Sequence, residues 1–276
     1  MRAGIDPALI ILKKIICDVI FRLHKIYLWR ESMIKKYDNY KLNNCETLLD
    51  ALELNGEKNP IISFVGAGGK TTTMKRIAME YINKGIPVIV TTTTHLYNEK
   101  EPWFLLEPSK EKALKLLKQY KMVWLGKVTK NGKMGMPDKK FLDEMISLGY
   151  PVLIEADGAR RLPCKAPGEN EPVYIEETSC IVGVYGIDSI GKKIEEICFR
   201  PELVSNIINK DLKDFIEEKD IAILATDKRA GMKNIEDRKY KVVINKVDNI
   251  NQEKQAEKIC KYVWDNGMYD IIVTGK

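Results

Sequence analysis

The stretch FVGAGGKTTT, residues 64–73, gathers the residue types that can hold a phosphate chain. Gly66, Gly68 and Gly69 let backbone amides approach oxygen atoms with no Cβ in the way, and they permit positive φ. Lys70 supplies a mobile positive charge for the terminal phosphates, and the Thr71 hydroxyl is an oxygen donor for Mg²⁺. With Ala67 and Thr72 completing the turn, residues 66–72 are the expected nucleotide-binding loop, for GTP or ATP. The usual pattern is G-x-x-x-x-G-K-[ST], yet its first glycine would fall at Phe64.

Read from Gly66, the run is a shortened G-x-x-G-K-T, which resembles the loop of the Mur ligases and their relatives. Phe64 then belongs to the preceding strand. The competing reading is a glycine-rich connection with an N-capping threonine.

A phosphate site with Mg²⁺ needs an acidic group near the carboxyl end of a neighbouring strand. VLIEADGAR places Glu155 and Asp157 at such an end, and the i, i+2 spacing in extended chain turns both the same way. Loop solvation with an N-cap is the other reading of this pair. TTTTH, residues 91–95, offers hydroxyls at Thr93 and Thr94 and a proton carrier at His95, although threonine also favours strands for its own reasons. The expected metal set is Thr71, Thr94, Glu155 and Asp157; the expected catalytic set is Lys70, Asp157, Glu155 and His95.

NKVD, residues 245–248, matches the N-K-x-D run that reads guanine in GTPases. Asp248 would accept from the ring N–H and the exocyclic amine, with Asn245 and Lys246 building the pocket. GTP is therefore favoured over ATP, narrowly. The proline-rich segment RRLPCKAPGENEPVY, residues 160–174, can present Arg160, Arg161 and Lys165 rigidly to a ligand. Arg200, just before a Pro-Glu helix start, is a further candidate phosphate or substrate contact.

Positioning these residues takes strands that end together. Apolar, β-branched runs at 60–65, 86–94, 122–126, 151–157, 179–186, 221–226, 241–248 and 270–275 read as strands. Helix patterns lie at 71–83, 109–120, 138–148, 201–217 and 251–265. Strands apolar throughout are buried on both faces, so the expected fold is α/β, a mostly parallel sheet with helices on both faces, P-loop NTPase-like. A composition break near residue 45 divides a leader, residues 1–46, from a nucleotide-binding domain, residues 47–276.

Of the +6 formal charge, the leader carries nine Lys/Arg against five Asp/Glu, and the body is close to balance. A nucleic-acid partner is not expected. The segment ALIILKKIICDVIFRLHKIYLW is interrupted by charges, so its uncharged runs fall far short of the ~20 residues that span a bilayer. It suits an amphipathic helix packed on the body, a membrane-surface helix, or an upstream extension with Met33 as the working start; the last is favoured. The six cysteines show no metal-ligand spacing. Reduced thiols in a cytoplasmic protein are the expectation.

Taken together, FVGAGGKTTTMKRIA, VIVTTTTH, VLIEADGARRLPCKAPGENEPV, GVYGIDSIGK, FRPE and NKVD resemble the YqeC family, described as selenium-dependent hydroxylase accessory or selenium cofactor biosynthesis proteins. The likeness runs from about residue 47 to the C-terminus. It implies a nucleotide-binding protein that assists maturation of molybdenum hydroxylases, with such a hydroxylase or its cofactor as partner. The family motif positions fall here on Gly66, Gly69, Lys70, Thr71, Thr94, His95, Glu155, Asp157, Lys165, Glu171, Pro172 and Arg200. Two positions depart from the pattern: Cys164 stands where an aliphatic residue is expected, and Phe199 where a histidine is. If selenium meets this chain, Cys164 is the thiol nearest the motifs.

Overall fold

The computed structural model describes residues 33–97, 99 and 101–275. The strands are β1 (Ile34–Asp38), β2 (Lys41–Asn44), β3 (Ile61–Ala67), β4 (Val88–Thr92), β5 (His95–Leu96), β6 (Phe104–Leu105), β7 (Met122–Leu125) and β8 (Lys127–Val128). They continue with β9 (Met134–Gly135), β10 (Val152–Glu155), β11 (Cys164–Lys165), β12 (Cys180–Gly186), β13 (Cys198–Phe199), β14 (Lys239–Asn245) and β15 (Ile271–Thr274). The α-helices are α1 (Leu48–Ala51), α2 (Lys70–Asn83), α3 (Lys110–Tyr120), α4 (Lys139–Ile146), α5 (Ile194–Ile197), α6 (Pro201–Ile208), α7 (Glu218–Thr226) and α8 (Ile250–Asp265).

Ten strands form one sheet in the order β2-β1-β15-β14-β12-β3-β10-β4-β7-β6. Every pairing from β15 to β6 is parallel. The chain leaves β3 toward β4 on one side and later builds β12, β14 and β15 on the other. The carboxyl end of β3 thus lies at a reversal of strand order, where open parallel sheets form a crevice.

Alternate residues of each strand enter different cores. Ile62, Phe64, Val88 and Val90 pack with α1 and α2 through Leu49, Met74 and Ile77. Ile61, Ile89, Val152 and Ile154 pack with α3 and α4 through Leu117 and Met145, while Val65, Ile181 and Val242 meet α7 and α8 through Ile221 and Ile259. Helices therefore cover both faces, as a sheet of continuous apolar strands requires. Phe64, the residue that breaks the usual loop pattern, is fully buried. Burial of such a ring contributes roughly 2 kcal/mol.

Local signals explain most boundaries. Ser109 and Asn249 cap α3 and α8 by accepting backbone N–H bonds. The expected helix over 201–217 stops at Ile208, because Asn209 turns left-handed and its N–H closes on Ser205 O. The expected strand over 221–226 is instead helix α7. A capping box of Glu217 and Asp220 starts it, and the buried set Ile221, Ala222, Leu224 and Ala225 has helical spacing. A six-residue apolar run does not distinguish the two conformations.

Residues 34–44 of the expected leader form a hairpin whose first strand pairs antiparallel with β15. The sheet thus begins upstream of residue 47, while the amphipathic segment before Met33 lies outside the described residues. Among the described residues no helix is long and apolar enough to cross a membrane.

Candidate functional site

Strand β3 runs through Gly66 and Ala67, and α2 begins at Lys70, so the turn itself is only Gly68-Gly69. All three glycines have positive φ, from +92° to +128°. At two of them the backbone of β12 also leaves no room for a side chain. A Cβ on Gly66 would lie 2.6 Å from Val184 O, and one on Gly68 would overlap the Gly186 backbone. Gly69 is the N-cap of α2 and provides no side-chain cap. The first helical amides therefore carry a partial positive charge toward whatever occupies the turn.

Behind the turn lies a chain of alternating charges, buried at Lys70, Asp157 and Lys165 and half-buried at Glu171 and Arg200. Lys70 Nζ donates to Gly66 O at 2.6 Å and stands 3.0 Å from Asp157 Oδ1. Asp157 Oδ2 accepts from Gly66 N–H at 3.0 Å and from Lys165 Nζ at 2.9 Å. Lys165 also donates to Gly158 O and to Glu171 Oε2, which accepts from Arg200 at 2.9 Å. Burial alone would lower the Lys70 pKa, but the Asp157 and Glu155 carboxylates outweigh it and the net direction is up. Burial would likewise raise Glu171, yet Arg200 and Lys165 bring it down to about 2.

Glu155 behaves differently from Asp157. As the last residue of β10, it pairs in register with Phe64 on one side and Thr92 on the other. Its Oε2 accepts from Thr71 Oγ1 at 2.9 Å. Burial pushes its carboxyl up, against the pull of Lys70 and Thr71.

A cleft of about 840 Å³ opens over this edge. It is lined by the turn and first helical residues 67–72, by Thr94, His95 and Glu155, and by Lys246. Asp157, Lys165, Arg200 and Asp248 do not line it. The expectation that Glu155 and Asp157 face the same way is thus corrected: β10 ends at Glu155, and the bend after it turns Asp157 under Lys70. Lys165 pairs with Asp157 and Glu171, and Arg200 pairs with Glu171, which itself lines the cleft. Thr93 also turns away, donating to Val173 O at 2.7 Å. Thr94 faces the cleft with its hydroxyl 3.2 Å from that of Thr92. His95 is exposed there as the first residue of β5.

Asn245 serves the turn directly. Its register partner is Gly186, which abuts Gly68. Asn245 Nδ2 donates to Gly68 O at 2.9 Å, and its Oδ1 accepts from Thr274 Oγ1 at 2.9 Å. Lys246, in left-handed conformation, pairs with Asp188 at 2.7 Å. Cys164 is buried and in register with Cys198, also buried. The Cys198 hydrogen bond and burial push the Cys164 thiol well up, which disfavours the reactive thiolate. Among the described residues no group of three or more His, Cys, Asp or Glu side chains is placed to hold a metal ion.

Further cleft residues carry no motif. Tyr97 follows β5, and Asn131 and Lys133 sit in the β8–β9 hairpin, which joins β5 in a three-stranded sheet. Only that small sheet places them at the cleft, so no spacing along the chain announces them. Arg160 and Arg161 complete this wall.

A family model described as YqeC protein matches residues 62–202. The matched span includes the glycine turn, TTTTH, Glu155, the proline-rich segment and Arg200, and it stops short of the 245–248 run. The chain is also 28% identical over 191 residues to a curated protein of Escherichia coli (strain K12) named "Uncharacterized protein YqeC". That likeness covers 67% of this chain and 75% of the relative.

Proposed function

The chain belongs to the YqeC family, and from that premise we propose that it is a magnesium-dependent nucleoside triphosphate-binding protein of P-loop type, a GTPase by preference. The observation that carries this reading is the 2.9 Å contact between Thr71 and Glu155 at the start of a helix whose first turn lines the cleft. A hydroxyl and a carboxylate so placed are hard oxygen donors of the kind Mg²⁺ takes, directly or through water. Bound there, the ion would neutralise phosphate charge. Lys70 would exchange Gly66 O and Asp157 for the terminal phosphates, and the amides of the first helical turn would face the remaining oxygens. Preference for GTP over ATP rests on the N-K-x-D run, of which Lys246 lines the cleft. The role in selenium and molybdenum cofactor maturation rests on the family likeness.

A non-catalytic nucleotide-binding scaffold is the second reading. It is favoured by His95, which is exposed and carries no orienting hydrogen bond among the described residues. An ATP-dependent ligase or kinase with a Mur-like loop is the third, supported by the shortness of the turn.

Equilibrium binding and turnover of GTP and ATP with Mg²⁺, for the wild type and Lys70→Ala, tests all three. The expected result is GTP binding with turnover, and at least ~10-fold weaker binding in the variant, equivalent to about 1.4 kcal/mol. Binding without turnover selects the scaffold. Tight ATP binding with none of GTP selects the ligase or kinase, and no binding of either rejects the nucleotide reading.

A further inference from the structure

Most cations near the cleft are already paired. Lys70 and Lys165 hold Asp157, Arg200 holds Glu171, and Lys246 holds Asp188. Three others on the cleft wall are different. Lys133, Arg160 and Arg161 have no carboxylate partner among the described residues. Instead each lies over an aromatic ring: Arg161 over Tyr97 at 3.8 Å from the centroid, Lys133 over the same ring at 5.3 Å, and Arg160 over Phe199 at 4.8 Å. An aromatic face holds a guanidinium in place while leaving the N–H edge free to donate. A carboxylate would instead occupy that edge.

The backbone adds to the placement. Arg160 and Arg161 are consecutive non-glycine residues with φ of +48° and +63°. Such conformations are uncommon and persist where the surroundings over-determine them, often at ligand sites. The bend after β10 therefore presents two guanidinium groups at the same cleft as the glycine turn, although a different segment carries them. The cleft volume is near the upper end of the roughly 300–1,000 Å³ of small-molecule sites, which leaves room beside a nucleotide's phosphates.

We propose that Arg160, Arg161 and Lys133, stacked on Tyr97 and Phe199, form a subsite for a second small substrate and bind it through a phosphate monoester group. Two planar forks and an ammonium match the three equivalent oxygens and double charge of that group better than a single carboxylate. The subsite deepens the nucleotide reading, on which it rests for the presence of a first substrate. It also gives a purpose to Phe199, which carries Arg200 at 4.1 Å on the same ring as Arg160.

The test is calorimetric titration of the full chain with phenyl phosphate, with and without a non-hydrolysable GTP analogue and Mg²⁺, and with benzoate as the carboxylate arm. Phenyl phosphate is expected to bind the wild type. Its affinity should fall at least ~10-fold in the Arg160→Ala/Arg161→Ala variant, with benzoate weaker by a similar factor in the wild type, while analogue affinity changes by less than ~3-fold. Both arginines are exposed, so an unchanged thermal melt checks that the variant folds. No phenyl phosphate binding, or equal binding to the double variant, overturns the subsite. Equal binding of benzoate overturns the phosphate assignment. A loss of analogue affinity as large as that in Lys70→Ala also overturns the proposal, because the arginines would then belong to the nucleotide. If the analogue binds to no form of the protein, the nucleotide-free titration still reads the subsite by itself.

Discussion

Lys70 and Asp157 form a buried ion pair, with Nζ 3.0 Å from Oδ1 and each side chain under 5% exposed. Asp157 carries Lys165 on its other oxygen, so one carboxylate bridges two buried ammonium groups, of which Lys165 also holds Glu171. Asp157→Asn keeps the volume and removes the charge. Leaving buried charges uncompensated destabilises proteins by about 3–5 kcal/mol. Urea unfolding should show a loss of this order, and a change below ~1 kcal/mol would mean that the pair is not held as described.

Thr71 and Glu155 make the corresponding contact on the cleft side. Thr71→Val preserves shape and deletes the hydroxyl. Nucleotide affinity in Mg²⁺ is expected to fall by ~10-fold or more, about 1.4 kcal/mol. The difference from wild type should vanish when EDTA removes the metal. If the deficit persists in EDTA, the hydroxyl serves the nucleotide and not the ion.

Gly68 is constrained twice, by a φ of +100° and by the Gly186 backbone where a Cβ would lie. Gly68→Ala should lower stability by more than the ~1 kcal/mol typical of a φ-incompatible substitution alone. Gly85→Ala is the control: its φ is +77° and nothing lies within 4 Å. Comparable melting temperatures for the two variants would show that strand β12 does not press on the turn.

Glu171 gives the acid limb of the stability profile a defined origin. Its carboxyl is brought from an ordinary 4.5 down to about 2 by Arg200 and Lys165, against burial. A depressed carboxyl contributes stability that is present above its unfolded value and is lost as pH falls through the folded one. Wild type should therefore lose this contribution between about 4.5 and about 2. Glu171→Gln should be less stable at neutral pH and show a flatter profile in that window. Parallel profiles for the two proteins would remove Glu171 from the acid response.

The legible part of the site lay where the chemistry is local. A strand, two helix-start residues and glycines between them are visible in FVGAGGKTTT, because turn geometry and apolar runs are properties of neighbouring residues. The same holds for the parallel sheet, inferred from strands without polar alternation, and for the helices expected over 109–120 and 251–265. The strand expected over 221–226 is a helix instead, because a short apolar run fits either conformation and its form depends on a capping box just outside it and on which neighbours cover it.

That a glycine turn followed by Lys70 and Thr71 sits between a buried strand and a helix is readable from the residues alone, since each of those steps is dictated within one short stretch of chain. It takes the folded chain to bring Glu155 to Thr71 while Asp157 lies under Lys70, to let Asn245 grip Gly68 across 177 positions, and to set Lys133 beside Arg160 and Arg161 on one wall. Those pairings depend on sheet order and register, which bring distant segments to one edge. The free energy of each is set by burial and by the partners that meet there, and neither is written in the spacing along the chain.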